Sequence, residues 1–227
     1  MSIETGRLPA AGVRSMFDEI AAFYDPMNDA MTAGLHRRWR QIAARAVVVP
    51  GYRVLDACCG TGDLSVAARK AGGAVTGLDF SERMLERARR KSNEISWVLG
   101  DVLELPFADE SFDAATVGFG IRNVDDLGRG LRELRRVLRP GGRLAILEVV
   151  RPKGPLSLFY RVWFDRLIPR VGRLLPGGAA FTYLPASVRR FPGPEELTDE
   201  VRAAGFSPVG HRLLGGGIVV LLVGEAA

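Results

Sequence analysis

Cysteine and histidine are scarce in this chain of 227 residues, with two of each. Cys58 and Cys59 are neighbours in sequence, which excludes a framework disulfide of the secreted kind and leaves two reduced thiols. His36 and His211 stand far from any cysteine pair with zinc-ligand spacing, so no metal site is expected. Also missing is an apolar run near the roughly 20 residues that a membrane-spanning helix needs. The longest candidate, Ile218 to Val223, has the length of a strand. No basic stretch followed by an apolar one opens the chain, so the expected location is the cytoplasm. The net charge of +5 comes with no appended recognition domain, and nucleic acid is not an expected partner.

What is present describes one soluble domain, with 47% hydrophobic and 25% charged residues. Its excess charge is local. Arg151, Lys153, Arg161, Arg166, Arg170 and Arg173 face Asp165 alone, which accounts for the whole net charge. Within that segment, residues 155–175 mix the cations with Leu156, Phe159, Trp163, Leu167 and Ile168, while Pro169 would kink a long helix. Three uses stay open for it: a lid over an apolar substrate, contact with a membrane surface at its inner face, or plain packing.

Residues 1–12 lack periodicity and are expected to form a loose tail. Val13, Met16, Phe17, Ile20, Ala21 and Tyr24 then recur at helical spacing, with Asp25-Pro26 as the expected stop. A second helix is expected from about His36 to Val49, carrying Trp39, Ile42, Ala43 and Ala46 on its apolar face and Arg37, Arg38, Arg40 and Arg45 elsewhere. Residues 13–50 therefore read as a helical cover set before a core of 51–150, an insertion of 151–192 and a final 193–227. Trp39 and Phe17 are expected core anchors, whereas Tyr24 and Asn28, polar beside the break, are expected to face substrate.

The core turns on residues 52–64, where Val54 and Leu55 run into Asp56 and then into Gly60-Thr61-Gly62-Asp63. This reads as a strand, a glycine turn that admits a ligand close to the backbone, and a helix. A dinucleotide dehydrogenase would carry a third glycine where Ser65 stands and would not need Asp56 or Asp63. Two carboxylates beside the turn suit a ligand with an ammonium and a sulfonium, which is S-adenosylmethionine. Ala74 to Asp79 is a second strand whose terminal acid, Asp79, is placed to take ribose hydroxyls. Further strands at 95–99, 112–117 and 143–150, and helices between them, imply a doubly wound, mostly parallel sheet. Pro140-Gly141-Gly142 is the expected close of the helix before the fifth strand, and Phe206 to Arg212 with Ile218 to Val223 form an expected antiparallel hairpin.

Val54 to Leu64, Gly77-Leu78-Asp79-Phe80-Ser81, Gly100-Asp101, Leu105-Pro106-Phe107, Gly118-Phe119-Gly120-Ile121-Arg122-Asn123 and Arg136 to Gly142 together resemble the ubiquinone/menaquinone biosynthesis C-methyltransferases, class I S-adenosylmethionine-dependent enzymes. The resemblance spans about residues 13–224 and extends to Leu35-His36-Arg37-x-Trp39-Arg40 and to Tyr183-Leu184-Pro185 with Ser187 and Phe191-Pro192. It implies a seven-stranded, Rossmann-like α/β fold and C-methylation of a demethylated isoprenoid quinol, demethylmenaquinol before a ubiquinone precursor. Another small-molecule or RNA methyltransferase, and a silent cofactor binder, are the alternatives. The implied cofactor contacts are Asp56, Gly60, Thr61, Gly62, Asp79 and Gly118, with Asp101 and Val102 at the adenine. Tyr24, Asn28, Asn123 and Tyr183 are implied quinol contacts, and a homodimer stays open.

Methylating an aromatic carbon requires the neighbouring phenol, of pKa near 10, to lose its proton. Arg122, directly after the fourth strand, is the expected catalytic residue: its guanidinium would hydrogen-bond the phenolate, and any proton acceptance would pass through a bound water. The competing use of Arg122 is a salt bridge to Asp125 or Asp126, and His36 is the second candidate base, with a surface or capping role set against it. Glu148-Val149-Val150-Arg151-Pro152 departs from the family's Glu-Phe-Ser-x-Pro, which puts ligand contact by 149–151 in question.

Overall fold

The computed structural model describes residues 8–153, 157, 170 and 178–227. The expectations placed on 155–175 therefore lie outside the described residues, apart from Ser157 and Arg170.

Three helices come first: α1 (Ala10–Ile20), α2 (Tyr24–Thr32) and α3 (Leu35–Val47). The core follows as β1 (Arg53–Ala57), α4 (Asp63–Lys70), β2 (Ala74–Asp79), α5 (Glu82–Lys91), β3 (Ser96–Leu99), β4 (Phe112–Gly118), a 3₁₀ turn (Ile121–Asn123), α6 (Leu127–Val137) and β5 (Leu138–Val149). Then come α7 (Gly178–Arg190), α8 (Pro194–Ala203), β6 (Phe206–Leu214) and β7 (Val219–Ala226).

The strands form one seven-stranded sheet in the order β3-β2-β1-β4-β5-β7-β6, with β7 antiparallel to both neighbours and the remaining pairs parallel. This is the doubly wound sheet with a terminal hairpin that the alternation of elements implied. Successive residues of a strand face opposite ways, and β1 accordingly sends Val54 into the core beneath α3 and α4 and Leu55 into the core beneath α6 and α8. Strand order reverses between β1 and β4, so a crevice opens beyond their carboxyl ends.

Several boundaries differ from expectation. Helix α1 begins at Ala10, inside the expected tail, and stops at Ile20. Pro26 does not end a helix: it is the third residue of α2, where a missing N–H costs no intrahelical bond. The Pro140-Gly141-Gly142 segment belongs to β5, which begins at Leu138 and slips register between its pairing with Phe112 and with Ala114. Ser81 caps α5, accepting a hydrogen bond from the Met84 amide. The helical cover is seated by a small apolar cluster in which Val13, Met16 and Ile20 of α1 meet Met84 of α5 and Ala180 and Tyr183 of α7. Helix α2 has no fully buried residue.

Candidate active site

The turn after β1 is bent by three positive φ values, at Cys58 (53°), Gly60 (55°) and Gly62 (83°). The two glycines serve different ends. A Cβ on Gly60 would meet nothing within 4 Å, because it would point into the cavity that the turn lines. On Gly62 it would fall 2.5 Å from the Trp97 ring, so this glycine makes room for packing and does not line the cavity.

Asp79, at the end of β2, is 5% exposed and is locked to the turn, its carboxylate accepting from the Gly60 amide at 2.8 Å and the Ser81 amide at 2.9 Å. Asp56 is fully buried and accepts from the hydroxyls of Ser65, at 2.5 Å, and Thr116, at 2.8 Å. Ser65 thus explains the absent third glycine: its side chain anchors the acid. Burial pushes both carboxyls up to about 6, against the opposing effect of these hydrogen bonds. Asp101 accepts from the Leu103 amide at 2.9 Å and lines the same cavity with Val102 and Gly118. Thr61 lines it too, but its hydroxyl donates to Asp25 at 2.6 Å and accepts from Lys91.

A second cavity of about 410 Å³ lies between the helical cover and the sheet. Its walls are mainly apolar, from Met16, Ile20, Met27, Met31, Trp39, Leu184 and Ile218, with Asn28, Thr32, His36, Arg122 and Tyr183 among the polar members. Of residues 149–151, whose contact with ligand the sequence left in question, Val149 also lines it and Val150 is buried in the core. Phe17, Tyr24, Arg40 and Phe119 line both cavities and so form the wall between them. Asn123, expected beside Arg122 on the quinol, lines the first cavity and not the second.

Arg122 is buried and pairs with neither Asp125 nor Asp126. Its Nη1 donates to Glu148 at 2.7 Å and to the Phe119 carbonyl, while Asp126 caps α6 instead. Burial raises the Glu148 carboxyl even beside this cation. Four buried side-chain atoms among the described residues lack a hydrogen-bond partner: Arg122 Nε, Asn28 Nδ2, and Nδ2 and Oδ1 of Asn123. All belong to residues lining the two cavities, and buried polar groups are otherwise nearly always paired. Such atoms are what a ligand would satisfy, and together with the open space beside Gly60 they fit a nucleoside and a ring bearing hydroxyls.

His36 is neither at the surface nor a cap. It is 3% exposed, bonded through Nε2 to Asp29 at 2.8 Å and through Nδ1 to Arg40. Burial, the larger influence, lowers its pKa even with Asp29 beside it. Arg40, placed off the apolar face by the sequence reading, is also buried, and its guanidinium lies 5.0 Å over the Phe119 ring. Spacing carried that signal: residues 36, 40, 43 and 47 all fall on the buried face of α3. Lys91 joins the cover to the turn, with Nζ 2.6 Å from both Asp25 and Asp63. Glu148 and Lys91 gave no local sequence signal, since their partners lie far away in the chain.

The profile of the ubiE/COQ5 methyltransferase family matches residues 5–225. A demethylmenaquinone methyltransferase of Thermus thermophilus is 45% identical over 219 residues, 92% of this chain and 99% of that one. A 2-phytyl-1,4-naphtoquinone methyltransferase of Synechococcus elongatus is 42% identical over 225 residues, 94% of this chain and 97% of that one. Among solved structures, a SAM-dependent methyltransferase from Thermotoga maritima superposes with a TM-score of 0.67 at 26% identity, covering 94% of this chain and 99% of the other.

Proposed function

Because the chain belongs to the ubiE/COQ5 methyltransferase family, we propose that it methylates a ring carbon of demethylmenaquinol, with S-adenosylmethionine as methyl source, in menaquinone biosynthesis. The observation that carries this reading is the meeting of two unlike cavities at unpaired polar side chains: one acid-lined beside a glycine turn, one apolar, with Arg122, Asn28 and Asn123 unsatisfied around them.

S-adenosylmethionine supplies an electrophilic methyl group on a cationic sulfur. In this reading Asp79 takes the ribose hydroxyls, Asp101 and Val102 the adenine, and Gly60 gives backbone room, with Thr61 and Gly118 lining the same cavity. Asp56 contributes negative charge near the sulfonium end; it has no exposed surface behind the hydroxyls of Ser65 and Thr116, so it acts through its field rather than by direct contact. Arg122, held by Glu148 with Nε still unpaired, hydrogen-bonds the quinol oxygen and favours its ionised form, which makes the adjacent carbon nucleophilic. Tyr24, Asn28 and Tyr183 position the ring, and the apolar wall receives the first part of the isoprenoid tail. Both kinds of named relative act on substituted naphthoquinones, which favours a naphthoquinol over a ubiquinone precursor. Contact with a membrane surface, whose lipids dissolve such a tail, belongs to the same reading, although no helix among the described residues is long and apolar enough to cross a bilayer.

The test is transfer of labelled methyl, in detergent, to reduced demethylmenaquinone, beside a demethylated ubiquinol precursor and total RNA. Label in the naphthoquinol alone is expected. Label chiefly in either comparator would redirect the substrate, and cofactor binding with no label anywhere would leave a silent binder.

A further inference from the structure

Charge in the acid-lined cavity is lopsided. Among the described residues, Asp56, Asp63, Asp79, Asp101 and Asp125 line it against one lining cation, Arg40, with Lys91 paired to Asp63 alone of the five. S-adenosylmethionine carries an ammonium and a sulfonium, which such a wall attracts, but also a carboxylate, which it would repel. Resting on the methyltransferase reading, we propose that Arg40 receives the methionine carboxylate and so fixes the amino-acid end of the cofactor.

Position supports it. Arg40 lines both cavities, so it stands at the end where methyl transfer must occur, whereas Asp101 and Val102 stand beyond β3, at the nucleoside end. The guanidinium is also available. Among the described residues its hydrogen bonding runs through Nη1 alone, to His36, and Asp63 lies 3.9 Å away, beyond hydrogen-bond length. The plane over Phe119 fixes one face of the guanidinium and leaves its edge for a carboxylate, which a planar fork of N–H groups matches. Arg40 is only 5% exposed, so water screens it little.

Decarboxylated S-adenosylmethionine isolates this contact, because it differs by loss of the carboxylate alone. Calorimetric titration of the wild-type protein should show S-adenosylmethionine binding roughly 10- to 100-fold tighter than the decarboxylated compound, the scale of a charge-assisted hydrogen bond. R40Q should reverse that order, since the remaining acids favour the more cationic ligand, and R40K should keep part of the original preference. Equal affinity of the wild-type protein for the two compounds would overturn the assignment without any variant being needed, as would an equal loss for both in R40Q, the mark of a purely structural arginine. Should R40Q not fold, the wild-type ratio and R40K still decide. A wild-type protein that binds neither compound would sink the methyltransferase reading and this assignment with it; binding without preference sinks only the assignment.

Discussion

Arg122 and Glu148 act as one unit. The arginine needs the carboxylate to be held in place, and the carboxylate, fully buried, needs the arginine to be tolerated there at all. R122Q should lower turnover about 10²- to 10³-fold while leaving the dissociation constant of S-adenosylmethionine within a fewfold, because the effect falls on developing charge at the quinol oxygen. Turnover near wild type would remove the phenolate role. E148Q leaves a buried cation unpaired and should cost about 3–5 kcal/mol of stability as well as activity, read from chemical denaturation. Asp56 and Asp79 give a pH dependence of two signs. Their folded pKa values of about 6 lie above the ordinary 3.8, so their contribution to stability is full below about 4 and is lost as pH rises through 6. From these two groups the ligand-free protein gains stability between pH 7 and 5, while its affinity for a cationic cofactor falls as the carboxylates take protons. Melting curves and titrations over that range test both signs, and an affinity that stays flat would deny either acid a part in binding. At this scale the sequence spoke clearly where a residue's place follows from a local pattern, as with Asp79 closing β2 or Arg122 following β4. It was silent on Glu148, which lies 26 positions from its partner.

Helix α2 shows why elements were harder to read than residues. Its register was hidden by Pro26, a residue that halts a helix from within yet is harmless in a first turn. Lacking a buried residue, α2 is held in part by charges: Asp25 to Lys91 and Thr61, and Asp29 to His36 and Arg37. K91M should therefore loosen the cover, raising amide exchange across residues 24–32 and the quinol KM, while leaving exchange in the strands unchanged. Added salt should move the wild-type protein the same way, since partly exposed pairs are screened. Equal exchange in α2 of K91M and the wild-type protein would mean that packing alone seats it. In contrast, β1, β2 and β4 were legible because short apolar runs ending in glycine or acid have few other uses in an alternating chain.

For the whole molecule, the mostly parallel sheet followed from the alternation of strands and helices, and the hairpin from two β-rich runs around Gly215-Gly216-Gly217. What alternation cannot express is how a cover built before the first strand comes to lie over the ends of the first and fourth. That placement depends on contacts between distant segments, such as α1 against α5 and α7. It brings Phe17, Tyr24, Arg40 and Phe119 into a partition touched from both sides. A partition common to two ligands makes their binding energies interdependent: whatever factor the nucleoside imposes on affinity for the quinol, the quinol must impose on affinity for the nucleoside. The same reciprocity governs departure, so a spent cofactor that holds the partition differently from a fresh one would change how firmly the newly methylated ring is kept.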